Sequence, residues 1–313
     1  MTVPALDRDN FIRYLSAKKS IDDRALNRHV RDSLAKALDS HPSRDRLDIL
    51  ELGAGIGTMV ERVLEWGLIR DAAIYTAMDG DRRCIIEAKP RLTQWAETHH
   101  FAARDEDPDS LRLEGRQQRV LVKLEAADLR EFLPRHEGRP QWDLLIANAF
   151  LDLIDLGSAV PRILSLLRPN GLFYFTINFD GVTAFQPDID PEFDRRVEAL
   201  YHQTMDRRVV DAKPSGDSRT GRRLFEHLAA AGAEIVAAGA SDWVVFAGPE
   251  GYPGDESYFL HHIIHTVGTA LERHPDLDPE RFSRWIAERH AQIEQGRLVY
   301  IAHQIDFLGR VRS

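Results

Sequence analysis

Apolar positions along the chain fall into two alternating rhythms. Short runs rich in branched and aromatic side chains recur at Leu47–Leu52, Ala73–Met78, Arg119–Leu124, Trp142–Ala147 and Gly171–Phe179. Runs of this length and content read as strands buried in a sheet. Between them, apolar residues return at helical spacing, as in Thr58–Trp66 with Met59, Val60, Val63 and Leu64, and in the segment from Arg82 to about Glu97. Strands alternating with helices predict a mostly parallel sheet with helices on both faces. Before the first strand, Ile21, Ala25, Leu26, Val30 and Leu34 form an amphipathic stripe with a period near 3.6.

The second half continues with different proportions. A helix is expected from Pro191 to about Val209, another from Arg222 to Ala231 closed by Gly232, and two more over Ser257–Arg273 and Pro279–Gln295. Asp217 or Ser218 is placed to cap the helix at Arg222. Ala233–Ala238 and Asp242–Phe246 read as strand, and Arg297–Leu308 as a closing strand. Residues 99–118, charged and broken by Pro108, are expected to form a surface loop.

One junction carries chemistry. The first strand ends in Glu51 and opens into Gly53, Gly55 and Gly57, after which the first helix begins. Glycine is required where a ligand must reach the backbone and a helix N-terminus, because a side chain would hold it away. The dinucleotide fingerprint G-x-G-x-x-G places its third glycine one residue later than this chain does. A carboxylate beside the loop also suits a cation better than a pyrophosphate dianion. Asp79, at the tip of the second strand and about 20 residues past the loop, is placed to accept ribose hydroxyls. Asp81 is expected to cap the following helix.

An acid followed by G-x-G-x-G resembles the first motif of the class I S-adenosylmethionine-dependent methyltransferases. Leu167-Arg-Pro-Asn-Gly171 resembles the Leu-x-Pro-Gly-Gly turn of the same family, with Asn170 at a position where Asn tolerates left-handed backbone. The last strand matches the family's final antiparallel strand. The resemblance covers residues 46–180 well and the remainder loosely. It implies an α/β, Rossmann-like, mostly parallel seven-stranded sheet with S-adenosyl-L-methionine as cofactor. It implies Glu51 near the cofactor's ammonium, Gly53, Gly55 and Gly57 at its backbone approach, Asp79 on the ribose and Asp128 at the adenine. Residues 1–45 would form an N-terminal helical cap from which Tyr14, Lys18 and Arg24 reach the cofactor mouth, an edge-packed helix with solvated charges being the alternative. Residues 46–313 would form the catalytic domain, with insertions at about 180–217 and 250–295 walling the substrate pocket.

Methyl transfer from a sulfonium needs positioning and desolvation more than a dedicated catalytic motif, and a base only for an acceptor that loses its proton with difficulty. Asn148-Ala-Phe-Leu151 stands where related enzymes hold an amino group with Asn or Asp followed by Pro-Pro-Tyr. Both prolines and the aromatic are missing, so methylation of nucleic-acid bases is not carried over. Asn148 is expected either at the substrate or the cofactor's methionine end, or as a helix cap. Asp180, His202, Asp152 and either His261 or His262 are the further candidates for a base. His261 and His265 lie four apart on one helix face, a metal-ligand spacing for which the sequence names no third ligand, so no metal is assigned.

Composition narrows the rest. The chain of 313 residues is 43% apolar, enough for one substantial core with additions. Its formal charge of −9 argues against a nucleic-acid substrate and for a small-molecule one. The single Cys84 excludes an internal disulfide and a thiolate-rich metal site. No apolar stretch is long enough to span a membrane, and Met1–Arg8 lacks the pattern of a signal peptide, which together predict a cytoplasmic protein. Two other functions share these features: an NAD-dependent oxidoreductase on a similar core, disfavoured by the glycine spacing and Glu51, and a non-catalytic cofactor- or partner-binding module. The methyl acceptor and the oligomeric state have no signature in the chain.

Overall fold

A computed structural model of the chain describes residues 9–41, 46–210 and 213–312. The signal-peptide reading of Met1–Arg8 lies outside these residues. Two helices come first, α1 (Asp9–Ala25) and α2 (Arg28–Asp39). The alternating core follows: β1 (Leu47–Leu52), α3 (Thr58–Glu65), β2 (Ala72–Asp79), α4 (Arg82–Thr98), β3 (Ala102–Asp107), β4 (Ser110–Glu114), β5 (Arg119–Ala126), α5 (Leu129–His136), β6 (Trp142–Asn148), a short 3₁₀ turn (Leu151–Leu153), α6 (Leu156–Leu164) and β7 (Leu167–Gln186). The chain continues with α7 (Pro191–Asp206), a hairpin of β8 (Val209–Val210) and β9 (Lys213–Pro214), α8 (Thr220–Ala230), β10 (Ala233–Ala240), β11 (Trp243–Val245), α9 (Glu256–Leu271), α10 (Pro279–Glu294) and β12 (Val299–Val311).

The strand order in the main sheet is β10-β12-β7-β6-β1-β2-β5-β4-β3, with β11 also paired to β12. Pairings from β7 through β6, β1 and β2 to β5 are parallel, and β12 enters antiparallel between β7 and β10. This is a Rossmann-like α/β sheet with the expected last strand inserted near one edge. Three strands exceed the expected seven. Residues 99–118 are not a loop: β3 and β4 form a hairpin continuing the sheet beyond β5. The charged residues of β3 lie on an exposed edge, which solvent tolerates, while Leu111 and Leu113 of β4 alternate into the core. Pro108 sits between the two strands, where it interrupts no ladder.

Helices cover both faces. Val30, Leu34, Met59, Val60, Val63 and Leu92 pack on one face with Ile49 and Tyr75, and Phe132, Val160, Ile163, Leu224 and Leu228 pack on the other with Leu145 and Phe173. A third cluster is built differently. β7 and β12 run far past the neighbouring strands as a long antiparallel ladder. Their extensions present Phe179, Phe185 and Tyr300 to α1, α7, α9 and α10, which bury Ile21, Val197, Phe259 and Trp285 against them. The buried pair Arg289–Asp194, at 2.9 Å, joins α10 to α7, and Asp194 also accepts from the Trp285 indole at 2.5 Å. This second layer stands beside the carboxyl ends of the parallel strands, where open α/β sheets bind ligands.

Several local expectations are settled here. The stripe from Ile21 to Leu34 breaks at Leu26, because Asn27 takes extended backbone and caps α2 through Val30 N–H. Asp81 caps α4 as expected. The helix expected at Arg222 begins at Thr220 with Arg219 in the cap position, and Asp217 accepts from Arg219 N–H just outside it. Asn170 takes the left-handed conformation at φ 65°. Among the described residues no helix is long and apolar enough to cross a membrane.

Candidate active site

The Gly53–Gly57 loop lies at the carboxyl end of β1, between β2 and β6 in the sheet. Gly53 and Gly55 take left-handed backbone, at φ 70° and 53°. At Gly53 a Cβ would lie 2.4 Å from the Phe150 ring, so only a bare backbone fits under that ring. Gly57 fills the cap position of α3 and supplies no side-chain acceptor, which leaves the helix's first amides without a side-chain cap. Asp79 ties the loop to β2. Its Oδ2 accepts from Gly55 N–H at 2.7 Å and its Oδ1 from Asp81 N–H at 2.7 Å. Burial raises the Asp79 carboxyl above its usual range, and the two backbone hydrogen bonds work against that rise.

Glu51 sits one layer below. Its carboxyl is buried and accepts from the Tyr75 hydroxyl on β2 at 2.8 Å. Burial pushes its pKa up to about 8, opposed by the Tyr75 hydrogen bond and the Arg62 guanidinium. Arg62, itself fully buried on α3, donates from Nε to Asp23 at 2.6 Å and from a terminal nitrogen to Lys19 O at 3.2 Å. Arg62 thereby fastens α1 to the helix that starts at the glycine loop, and Leu15 of α1 lies 3.3 Å from where a Gly55 Cβ would stand.

Asp22 is the second fastening. It accepts from Lys18 at 2.5 Å, from the Trp243 indole at 2.9 Å and from Asn148 Nδ2 at 3.4 Å. Asn148, the last residue of β6, also accepts from Thr176 Oγ1 at 2.8 Å. Its side chain spans α1 and β7 and caps no helix. The backbone here is strained: Ala149 follows at φ 51°, and Ile177 on β7 stands at φ 56°. A β-branched residue in that region is costly. Asp306 of β12 holds it there, accepting from Ile177 N–H at 2.7 Å and from Asn27 N–H at 2.8 Å.

Glu51, Gly53, Gly55, Gly57, Asp79 and Asn148 therefore converge at the ends of three adjacent strands. Asp128 stands one strand further on, after β5, where it caps α5 through Arg130 N–H and is gripped by the Arg130 side chain at 2.9 Å from each oxygen. That grip holds its carboxyl below the usual range. Tyr14 stacks on Phe259 and His262 of α9, Lys18 is bound to Asp22, and Arg24 pairs with Glu256 of α9 at 2.6 Å. Asp180 is occupied by Arg222, whose Nε lies 2.9 Å from it. His202 meets Thr183 Oγ1 at 3.0 Å. His261 turns to His290 of α10, Nδ1 to Nδ1 at 2.7 Å, while His265 meets Thr269. Among the described residues no group of three potential metal ligands occurs.

Asp22, Arg62 and Asp306 were not marked by any motif. Lys18 and Asp22 are legible as an i,i+4 pair, but nothing local shows that Trp243 and Asn148 meet the same carboxylate.

No family model matches the chain, and no curated protein matches it. Solved structures with similar backbones include a SAM-dependent methyltransferase from Thiobacillus denitrificans in complex with S-adenosyl-L-homocysteine. It is 13% identical, with TM-score 0.44 and 100% of both chains covered. One from Geobacter sulfurreducens, also with S-adenosyl-L-homocysteine, is 14% identical, with TM-score 0.44 and 96% of this chain and 98% of that chain covered. Geranyl diphosphate C-methyltransferase from Streptomyces coelicolor A3(2) is 9% identical, with TM-score 0.41 and 90% and 81% covered.

Proposed function

We propose that the chain binds S-adenosyl-L-methionine along the carboxyl ends of β2, β1 and β6 and transfers its methyl group to a small-molecule acceptor. The observation that carries this reading is the glycine loop held by Asp79 through Gly55 N–H, closed to side chains at Gly53 and followed by a helix start without a side-chain cap. These features suit the cofactor. Asp79 keeps lone pairs for two ribose hydroxyls beyond those it gives the backbone. The amides at the start of α3 suit a carboxylate. Glu51, beneath the loop, gives the site an acid that an ammonium would ionise. Asp128 would reach the adenine amino group only by sharing its carboxylate with Arg130.

When bound, the sulfonium supplies its own leaving group for an in-line displacement. The chain's part is to orient the two reactants and exclude water, an effect worth roughly 7–11 kcal/mol when alignment is good. Residues 1–45 would act as a cap; within their described part, α1 is fastened beside the glycine loop by Arg62 and Asp22, which supports that reading. Residues 46–313 form the catalytic domain, with the segments at about 180–217 and 250–295 walling the acceptor. The net charge of −9 favours a small acceptor over nucleic acid. The lone Cys84 fits a cytoplasmic setting.

A thermal melt with S-adenosylmethionine, S-adenosylhomocysteine or NAD added separately tests the reading. A ligand at about 100 times its Kd adds roughly 2.7 kcal/mol of stability, a rise of several degrees. The two adenosyl compounds should raise Tm and NAD should not. A shift with NAD alone would mean an oxidoreductase, and no shift with any of the three would favour a non-catalytic module.

A further inference from the structure

The turn after β6 carries a carboxylate that none of the fastenings above uses. Left-handed Ala149 donates its N–H to Thr176 O at 2.9 Å, which lays Phe150 over Gly53 and buries Leu151 in the core. Asp152 follows within the 3₁₀ turn, and its Oδ1 is enclosed with no hydrogen-bond partner. Leaving a buried acceptor unmatched is costly, more so when it is charged. Two cations act on this carboxylate, Arg208 and Lys18 of α1, and Lys18 is already bound to Asp22 at 2.5 Å. The Asp152 charge acts in turn on the hydroxyls of Tyr14 from α1 and Tyr201 from α7. Those two rings belong to α1 and α7, and both pack against the third core cluster.

The rim just outside carries Arg208 together with exposed apolar side chains. Leu153, Val209 and Val210 are 45%, 61% and 43% exposed. They are held together by the backbone: Ser215 Oγ donates to Leu153 O at 2.6 Å, Gly216 N–H to Ile154 O at 3.4 Å, and Ser215 N–H to Arg208 O at 2.9 Å. The β8–β9 hairpin is thus pinned to the same turn that carries Asp152. An enclosed acceptor with an apolar lip one residue away matches a molecule with a donor at one end and a hydrocarbon body at the other.

We propose that Asp152 receives the N–H or O–H end of an amphipathic amine or alcohol whose apolar body lies on Leu153 and the neighbouring β8–β9 hairpin. Calling that molecule the methyl acceptor rests on the methyltransferase reading; the binding site itself does not. In that role the acceptor's lone pair forms a bond to the methyl carbon as the methyl–sulfur bond breaks and its electron pair stays on sulfur. The proton the acceptor gives up, which an amine arriving as its ammonium releases before attack, passes to Asp152 and the carboxyl becomes neutral. Burial raises this carboxyl, which fits it to hold the proton until the site opens.

Calorimetric titration of the full chain with hexylamine, hexanol and hexanoate tests the site, with S-adenosylhomocysteine titrated in parallel. Hexylamine or hexanol should bind, and which of the two binds more tightly identifies the head group. Hexanoate, which has no donor at pH 8, should bind at least tenfold more weakly. Asp152→Asn should weaken the favoured probe about tenfold and leave S-adenosylhomocysteine affinity unchanged. Leu153→Ser, an exposed change that spares the fold, should weaken the same probe several-fold. Hexanoate binding as tightly as the others, no binding of any probe at millimolar concentration, or full probe affinity in both variants would overturn the proposal. Failure of S-adenosylhomocysteine to bind, with the probe results as expected, would instead overturn the methyltransferase reading alone.

Discussion

Glu51→Gln isolates the one acid whose charge state should depend on what lies above the glycine loop. The Glu51 carboxyl is buried against Tyr75 and its pKa stands at about 8, so at pH 7 roughly nine-tenths of the molecules carry the proton. An ammonium brought beside it favours the carboxylate and expels that proton. The ligand's own amino group, beside its free carboxylate and so more basic than a peptide N-terminus, is already protonated at pH 7. Binding of S-adenosylhomocysteine should therefore release roughly 0.9 proton. Titration at pH 7 in buffers of different ionisation enthalpy counts protons directly. The Glu51→Gln chain should release roughly 0.9 proton fewer, a difference in which any contribution from Asp79 cancels. Equal proton counts in the two proteins would refute the placement of Glu51 beside the ammonium. The same acid shapes stability. Its pKa is raised from 4.5 to about 8, so its neutral form stabilises the fold fully below about pH 4.5, and that contribution is lost as pH rises through 8. The shift corresponds to roughly 5 kcal/mol at the upper limit, and Glu51→Gln should flatten the decline of Tm over this window.

Two further substitutions probe the frame around the site. Asp79→Ala strands the amides of Gly55 and Asp81 and removes the ribose acceptor. It should weaken S-adenosylhomocysteine binding by about 1–3 kcal/mol, and a folded variant with undiminished affinity by calorimetry would remove Asp79 from the site. Asp306→Ala releases Ile177 N–H and Asn27 N–H together and should cost about 2–4 kcal/mol, measured by urea denaturation. Undiminished stability would mean that the left-handed Ile177 is held by packing alone.

The alternating core and its glycine-rich junction were legible in the sequence, because those signals are local. Strand runs such as Leu47–Leu52 and Trp142–Ala147 are buried on both faces and read as apolar whatever surrounds them. The glycines announce backbone conformations that other residues avoid, and Asp79 follows at a distance fixed by one helix and one strand. The β3–β4 hairpin was hidden because an exposed edge strand is polar on the positions that a loop would also leave polar. Tertiary structure alone decided the ownership of each carboxylate. Asp180 and Asp128 carry the same side chain as Asp79, yet Arg222 and Arg130 occupy them. Asp22, on an ordinary amphipathic helix, joins α1 to β6 and β11 through residues 126 and 221 positions away. A carboxylate's role depends on which donors the fold brings within about 3 Å, and donors supplied by distant elements leave no periodicity for a sequence to display.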